Sequence, residues 1–450
     1  MQTIKLALVP LGWGVAAGLW TPRGPLTGGE ALWSVALSAA VGVLAGWAGR
    51  SRWAMLVAPA VFVAAVEVAR APVAGPSVDA PHLSLLGVTA LVTGRGVHGL
   101  FTVLPMIVGA AYGAALTRDR LAGRPIPRYL RRVGVATLAA AVAAVTVLAA
   151  IPARTAAIPG PNAVAELTTV DVGGYDLGLM IRGHDRAAPV LLFVPGAPGG
   201  MEKGSMRRHL AGLEQHFVVA TLDRRGGGTS YPALDADPPI GLESGIADTV
   251  AVTHYLRDRF GQDRVYLLAH SGGSLLGALT AARHPDLYAA YIGTGQAVDL
   301  PESDRAFHAD LGAGGDPPPY DDFYPYEPIV TNSGGEVGAL DGPEYTLLDK
   351  LHTVTSMLDT WQAQYPDLQQ VDLRTDVPRL AIPAYFVQGA DEKPALAKPF
   401  AQWYDRLEAP VKRLLVLDGA GHRPMFEQPD RFVAAMTGIL AENDPARRGR

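Results

Sequence analysis

Val265-Tyr-Leu-Leu-Ala-His-Ser271-Gly-Gly273 runs directly into Ser274-Leu-Leu-Gly-Ala-Leu-Thr-Ala-Ala-Arg283. The apolar residues before His270 have the character of a fully buried strand, and the stretch from Gly272 to Arg283 is a helix of short aliphatic side chains. Small residues on both sides of Ser271 permit a tight strand-to-helix turn. Such an elbow presents a serine Oγ beside a helix N-terminus, whose free N–H groups favour negative charge. The usual spacing is G-x-S-x-G, and here Ala269 stands at the first glycine. Ser271 is therefore the candidate nucleophile, and His270 is expected to support the packing of the turn.

The same rhythm extends on either side. From Glu166 onward, short Leu/Val or β-branched runs alternate with longer amphipathic stretches, which predicts an α/β domain with a mostly parallel sheet. Strands are expected at Leu167–Val172, Leu177–Arg182, Val190–Val194, Phe217–Leu222, Val265–Ala269, Ala289–Ile292, Ala384–Gln388 and Arg413–Leu417. Helices are expected at Met201–Leu213, Gly241–Phe260, Gly272–Arg283, Pro394–Leu407 and Asp430–Glu442. Residues 300–379 interrupt the alternation with a segment rich in Pro, Asp, Gly and Tyr, and read as a cap inserted over the strand ends.

Two late strands end in groups that can work with Ser271. Ala384-Tyr-Phe-Val-Gln-Gly389-Ala-Asp391-Glu392 ends in carboxylates, and Leu415-Val-Leu-Asp-Gly-Ala-Gly421-His422 ends in a loop histidine. In this chemistry His422 takes the Ser271 proton, a carboxylate holds the imidazole tautomer, and backbone N–H groups receive the oxyanion. The loop Pro195-Gly-Ala197-Pro-Gly199-Gly follows the third strand, so the N–H groups of Ala197 and of Gly272 are the expected oxyanion donors. The loop Asp223-Arg-Arg-Gly-Gly-Gly-Thr-Ser230 lacks the Lys-Ser/Thr ending of a phosphate-binding loop and is read as support for the site.

Residues 1–155 are a different object. They hold 13 Lys+Arg and 4 Asp+Glu, against 25 and 39 in the remainder. Apolar runs at Ile4–Trp20, Leu32–Gly49, Trp53–Ala69, Val97–Leu116 and Val133–Ile151 predict a transmembrane region of about five helices over 1–151, joined to the second domain by a linker at 152–165. Leu83–Val92 is too short to cross and is expected to be interfacial or re-entrant. Arg118, Arg120, Arg124, Arg128, Arg131 and Arg132 mark a cytoplasmic loop, which sends the second domain to the extracytoplasmic side. Glu67 is the main ionisable group within the spans. The chain is thus expected to be an integral protein of the cell membrane with the lipid bilayer as a partner.

Composition narrows the function further. There is no Cys, which excludes disulfides, thiol nucleophiles and cysteine-bound metals, and no His pair has the i, i+4 spacing of a helical metal site. No metal or organic cofactor is implied. The acidic second domain argues against a nucleic-acid partner, and the oligomeric state is not legible.

Taken together, Pro195–Gly199, Asp223–Ser230, Ala269–Gly273, Gly389–Glu392 and Gly421–His422 resemble the motif series of the α/β-hydrolase superfamily, in particular its proline iminopeptidase and prolyl aminopeptidase branch, over roughly Glu166–Glu442. The resemblance implies an α/β-hydrolase fold and a Ser–acid–His triad. Counting from Gly389 without a gap puts Glu392 in the family's acid position, with Asp391 the alternative. Pro195 replaces the family's histidine. The resemblance also implies recognition of a substrate amine by cap carboxylates, for which Glu302, Asp321, Asp322, Glu327 and Glu344 are available. The expected activity is that of a membrane-anchored serine hydrolase acting through an acyl-enzyme on a small peptide, amide or ester, including carboxyl or lipid esters. The competing expectation makes the helices a transporter or sensor with a hydrolase-like binding ectodomain.

Overall fold

The computed structural model describes residues 2–117, 128–196, 198–312, 316–318, 323–328 and 342–443. The chain divides into two compact units, the first running to Pro152 and including Thr346–Thr355, the second holding Ala153–Tyr345 and Ser356 onward.

The second unit is built on one eight-stranded sheet. Its strands are β1 (Val164–Asp171), β2 (Asp176–Gly183), β3 (Val190–Val194), β4 (Val218–Leu222), β5 (Val265–His270), β6 (Tyr288–Thr294), β7 (Ala384–Gly389) and β8 (Lys412–Leu417), in the spatial order β1-β2-β4-β3-β5-β6-β7-β8. The β1–β2 and β2–β4 pairs are antiparallel, whereas the five pairings from β4 to β8 are parallel. A parallel sheet is covered on both faces, which is why its strands read as continuous apolar runs. The side-chain period of two sorts each strand between two cores. Leu192, Val194, Leu267, Ala269 and Phe386 face one core, completed by helix residues such as Ile246, Leu275 and Trp403. Leu191, Phe193, Leu268, Tyr385 and Val387 face the other, against Met206, Phe432 and Met436.

All eight expected strands and the mostly parallel sheet are present, with boundaries moved by up to three residues. The expected helix over Met201–Leu213 breaks into Lys203–His209 and a 3-10 turn at Ala211–Gln215. Within 300–379 the described residues include helices at Leu300–Asp310, Leu347–Leu351, Thr353–Leu368 and Leu373–Asp376, of which Leu347–Leu351 falls in the first unit rather than in an insertion of the second.

The first unit is helical: α1 (Gln2–Trp20), α2 (Gly28–Gly49), α3 (Ala54–Ala69), α4 (Leu85–Leu91), α5 (Val97–Thr117) and α6 (Arg128–Ala149). The expectation of about five spans is corrected. Among the described residues, two helices are long and apolar enough to cross a membrane, Gly28–Gly49 and Leu85–Thr117, while Ala7–Trp20, Ala54–Ala69 and Val133–Ala149 are shorter apolar helices. At 1.5 Å per residue, the 16-residue α3 is about 24 Å long, short of the roughly 30 Å hydrocarbon core. The stretch Leu83–Val92, expected to be interfacial or re-entrant, is helical from Leu85 and continues into α5. A π-turn at Val92–Gly96 joins α4 to α5, so the stretch forms the opening turns of one 33-residue helix. Arg118, Arg120 and Arg124 lie outside the described residues.

Close helix packing in this unit rests on glycines four apart. A Cβ on Gly42 or Gly46 of α2 would fall 2.1 or 2.2 Å from the carbonyl oxygens of Met106 or Ala110 in α5. Reciprocally, a Cβ on Gly109 or Gly113 of α5 would fall 2.1 Å from the carbonyl oxygens of Ala39 or Val43. The two backbones touch because neither presents a side chain at these positions, the small-xxx-small packing common between helices in lipid.

Candidate active site

Loops from the carboxyl ends of β3, β5, β7 and β8 meet at one place, as ligand sites do in open α/β sheets. Ser271 follows β5 and opens the helix Gly272–Arg283 with φ 51° and ψ −130°. This is a costly conformation for a residue with a Cβ, and its neighbours enforce it. The Ser271 N–H donates to Thr294 O at 3.1 Å. The Ser274 N–H donates to Ser271 O at 2.8 Å, and the Ser274 hydroxyl bonds to the same oxygen.

His422, in the loop after β8, hydrogen-bonds on both sides. Its Nε2 lies 2.8 Å from Ser271 Oγ, and its Nδ1 lies 2.8 Å from Glu392 Oε2. A carboxylate accepts only, so Nδ1 carries the proton and Nε2 presents its lone pair to the serine hydroxyl. Glu392 is 7% exposed, and its Oε1 accepts the Lys393 N–H at 2.9 Å. Between the two carboxylates left open by the sequence, the geometry brings Glu392 to His422, while Asp391 is exposed and donates its N–H to Ala420 O at 2.9 Å. The acid loop and the histidine loop approach backbone to backbone. A Cβ on Gly389 would sit 2.1 Å from Gly421 O and 2.2 Å from Ala420 O, so only glycine fits there.

Three groups hold the histidine loop. Glu427 accepts the Gly421 N–H at 2.7 Å through Oε2 and the Arg423 N–H at 2.8 Å through Oε1. His270 Nε2 lies 3.1 Å from His422 O; because a carbonyl accepts, this nitrogen carries the proton. Burial holds the His270 pKa well below its ordinary value, with the nearby His422 and Arg423 acting in the same direction, so the ring is a neutral donor. Arg423 Nη2 lies 2.8 Å from both carboxylate oxygens of Glu202.

Gly272 is the first residue of its helix, where N–H groups lack intrahelical acceptors. Ala197, the other expected oxyanion donor, lies outside the described residues. The loop after β4 is a buried polar brace. Asp223 accepts from Lys203 Nζ at 2.8 Å, the Thr229 N–H at 2.9 Å and the Tyr345 hydroxyl at 2.7 Å. Of the carboxylates expected to meet a substrate amine, Glu302 pairs with Arg374 at 2.7 Å and Glu344 with Arg207; Glu327 is buried, and Asp321 and Asp322 lie outside the described residues.

Sequence reasoning missed Ser274, Glu202, Arg423 and Glu427. Adjacency to Ser271 or His422 is the signal available for Ser274 and Arg423. Nothing in the sequence ties Glu202 to a residue 221 positions away.

A hydroxyl, an imidazole and a buried carboxylate in series beside a helix N-terminus can carry out nucleophilic acyl transfer. A model of the alpha/beta hydrolase family matches residues 191–435, more than half of the chain, and the chain belongs to that family. Among its relatives, the probable aminopeptidase YbaC of Bacillus subtilis (strain 168) is 28% identical over 313 residues, covering 62% of this chain and 98% of that protein. Similar solved structures include a proline iminopeptidase of Mycobacterium smegmatis, with 20% identity, a TM-score of 0.45, and coverage of 62% of this chain and 99% of the other. A membrane phospholipase A described as a bacterial virulence factor has 19% identity and a TM-score of 0.49, with coverage of 70% and 99%.

Proposed function

We propose that this protein is a membrane-associated serine hydrolase that cleaves a small peptide or amide through an acyl-enzyme on Ser271. The observation that carries the reading is His422, hydrogen-bonded at 2.8 Å to Ser271 Oγ and at 2.8 Å to Glu392. Ser271 Oγ attacks the substrate carbonyl carbon as its proton passes to His422 Nε2, and Glu392 stabilises the imidazolium. The oxyanion is received by the Gly272 N–H together with that of Ala197. His422 returns the proton to the leaving amine. It then takes one from the water that hydrolyses the acyl-enzyme.

Aminopeptidase action is supported by the likeness to a probable aminopeptidase over nearly all of that relative's length. A second reading, action on a carboxyl or lipid ester, is favoured by the pairing of Glu302 with Arg374 and of Glu344 with Arg207, which engages two carboxylates otherwise suited to a substrate amine. Parallel assays with a proline naphthylamide and a short-chain p-nitrophenyl ester separate the two, and turnover of neither sinks both.

Membrane association is supported by the apolar side chains that the helical unit presents outward, among them Trp33 at 62% exposure, Trp47 at 56% and Trp53 at 67%, aromatic residues of the kind that belt a bilayer interface. The positive residues clustered over 118–132, the last of them on the opening turns of α6, support a cytoplasmic side there, and the side that holds the hydrolase unit then turns on whether the shorter apolar helix Val133–Ala149 crosses the bilayer. The test is labelling of intact cells with a membrane-impermeant fluorophosphonate, comparing wild type with Ser271→Ala at matched expression. Labelling only after lysis would reverse the orientation, and no labelling at all would remove the hydrolase reading.

A further inference from the structure

The Glu202–Arg423 pair joins two parts of the site that the sheet does not join. Glu202 lies three residues past Gly199 of the loop after β3, and Arg423 is the residue next to His422. Their side chains are 8% and 12% exposed, and Arg423 Nη2 is 2.8 Å from each carboxylate oxygen. The guanidinium also lies over the Phe426 ring, 4.7 Å from its centroid. Two charges are rarely buried unless paired, and a pair removed from water binds tightly while leaving either partner costly if the other is lost.

The pair bears on His422 through very short paths. The Arg423 backbone is held from the other side by Glu427, and His422 O is held by His270, so the ion pair is the third restraint on this loop. A carboxylate rather than an amide at position 202 is needed to anchor Arg423 by charge. Proton transfer between Ser271 and His422 is steep in geometry, so a small displacement of the ring costs rate before it costs binding.

We propose that Glu202 and Arg423 are positioning residues for His422, and that the hydrolase is in its active geometry only while Glu202 is ionised. This inference rests on the serine hydrolase reading above. The surroundings of Glu202 make the requirement visible near neutral pH. Burial pushes its pKa up to about 7, opposed by Arg423 and by a hydrogen bond from Ser205 and aided by Asp223. The other charged and titratable groups beside it are Lys203, paired with Asp223, and Tyr345, hydrogen-bonded to Asp223. As pH falls through this region Glu202 takes a proton and Arg423 loses its counter-charge. A general base acts in its neutral form, so the reaction requires two groups, Glu202 and His422, in their deprotonated states.

The experiment measures the second-order rate of fluorophosphonate labelling against pH for the full chain in detergent, with Tm measured alongside. Wild type is expected to lose rate on the acid side with a limiting slope approaching two in log rate against pH. Glu202→Gln is expected to label about tenfold or more slowly at pH 8, with a limiting slope of one and, on a turned-over substrate, a fall in kcat with KM little changed. Glu202→Asp keeps the charge and should keep the slope of two, and it serves as the readout if the Gln variant fails to fold. Wild-type labelling with an unchanged rate and slope in Glu202→Gln would overturn this inference alone, as would a slope of one in both wild type and Glu202→Asp. Absence of labelling in wild type would instead overturn the hydrolase reading.

Discussion

Gly277 lies directly against Ala269 across the elbow: a Cβ on Gly277 would fall 2.6 Å from the Ala269 Cβ and 3.2 Å from Tyr291 Cε2. The methyl group that Ala269 adds where the usual elbow has glycine is housed by a missing methyl eight residues later. Gly277→Ala should therefore destabilise by about 1–3 kcal/mol through overpacking, despite the roughly 1 kcal/mol that alanine gains over glycine in a helix. Labelling of Ser271 should slow in parallel. Adding Ala269→Gly should restore most of both losses, as read by Tm and probe labelling. Additive losses in the double variant would show that the two positions do not share this space.

Ser271 sits at φ 51°, so function and stability compete there. Ser271→Ala should cut turnover by at least about 10⁴-fold with little change in Tm. Ser271→Gly should be equally inactive yet more stable by about 1 kcal/mol or more, since glycine relieves the strained backbone. Equal melting temperatures for the two variants would contradict the assignment of strain.

The orienting acid is tested by a neighbour pair. Glu392→Gln keeps the shape but lets the wrong imidazole tautomer form, and kcat should fall by about 10³–10⁴-fold. Asp391→Asn, at an exposed position, should leave kcat within about twofold. The opposite ranking in steady-state assays would move the role to Asp391.

His270 predicts a direction for stability against pH. Its folded pKa lies well below 6.5, so above pH 6.5 it is neutral in both states and contributes nothing to the pH dependence. As pH falls below 6.5 the unfolded chain takes up a proton that the folded chain refuses, and stability is lost until the folded pKa is reached. Relative to wild type, His270→Gln should gain stability as pH falls from 7 to 5, by up to about 1.4 kcal/mol per pH unit. A stability difference that stays flat over that range would show that His270 is not held neutral.

How much of this was legible depended on the range of the interaction. The strands were readable because a sheet buried on both faces demands unbroken apolar runs, and residues such as Leu191 and Leu192 carry that signal locally. Ser271 and His422 stand after strands and beside glycines, so their order along the chain points each to the other, whereas Glu392 is separated from Asp391 only by its 2.8 Å contact with His422. Gly277 as the answer to Ala269, and Glu202 as the partner of Arg423, depend on contacts that no local pattern encodes. The helical unit is a different case. Its apolar runs overstated the number of spans because hydropathy does not report where a helix ends, whereas Gly42-x-x-x-Gly46 and Gly109-x-x-x-Gly113 were present as a spacing that marks which helices touch.

The position of β8 at the rim of the sheet separates the fates of the proposed nucleophile and its proposed base. Ser271 follows β5, which has strands on both sides, whereas His422 follows β8, which among the described residues pairs only with β7. Rim strands fray before interior ones. On warming, the enzyme should pass through a form that has lost its base while the serine still rests on an intact central sheet: silent to an activity probe, folded by spectroscopy, and able to recover on cooling. Inactivation would then precede melting, and storage lifetime would be governed by how well the last strand is held.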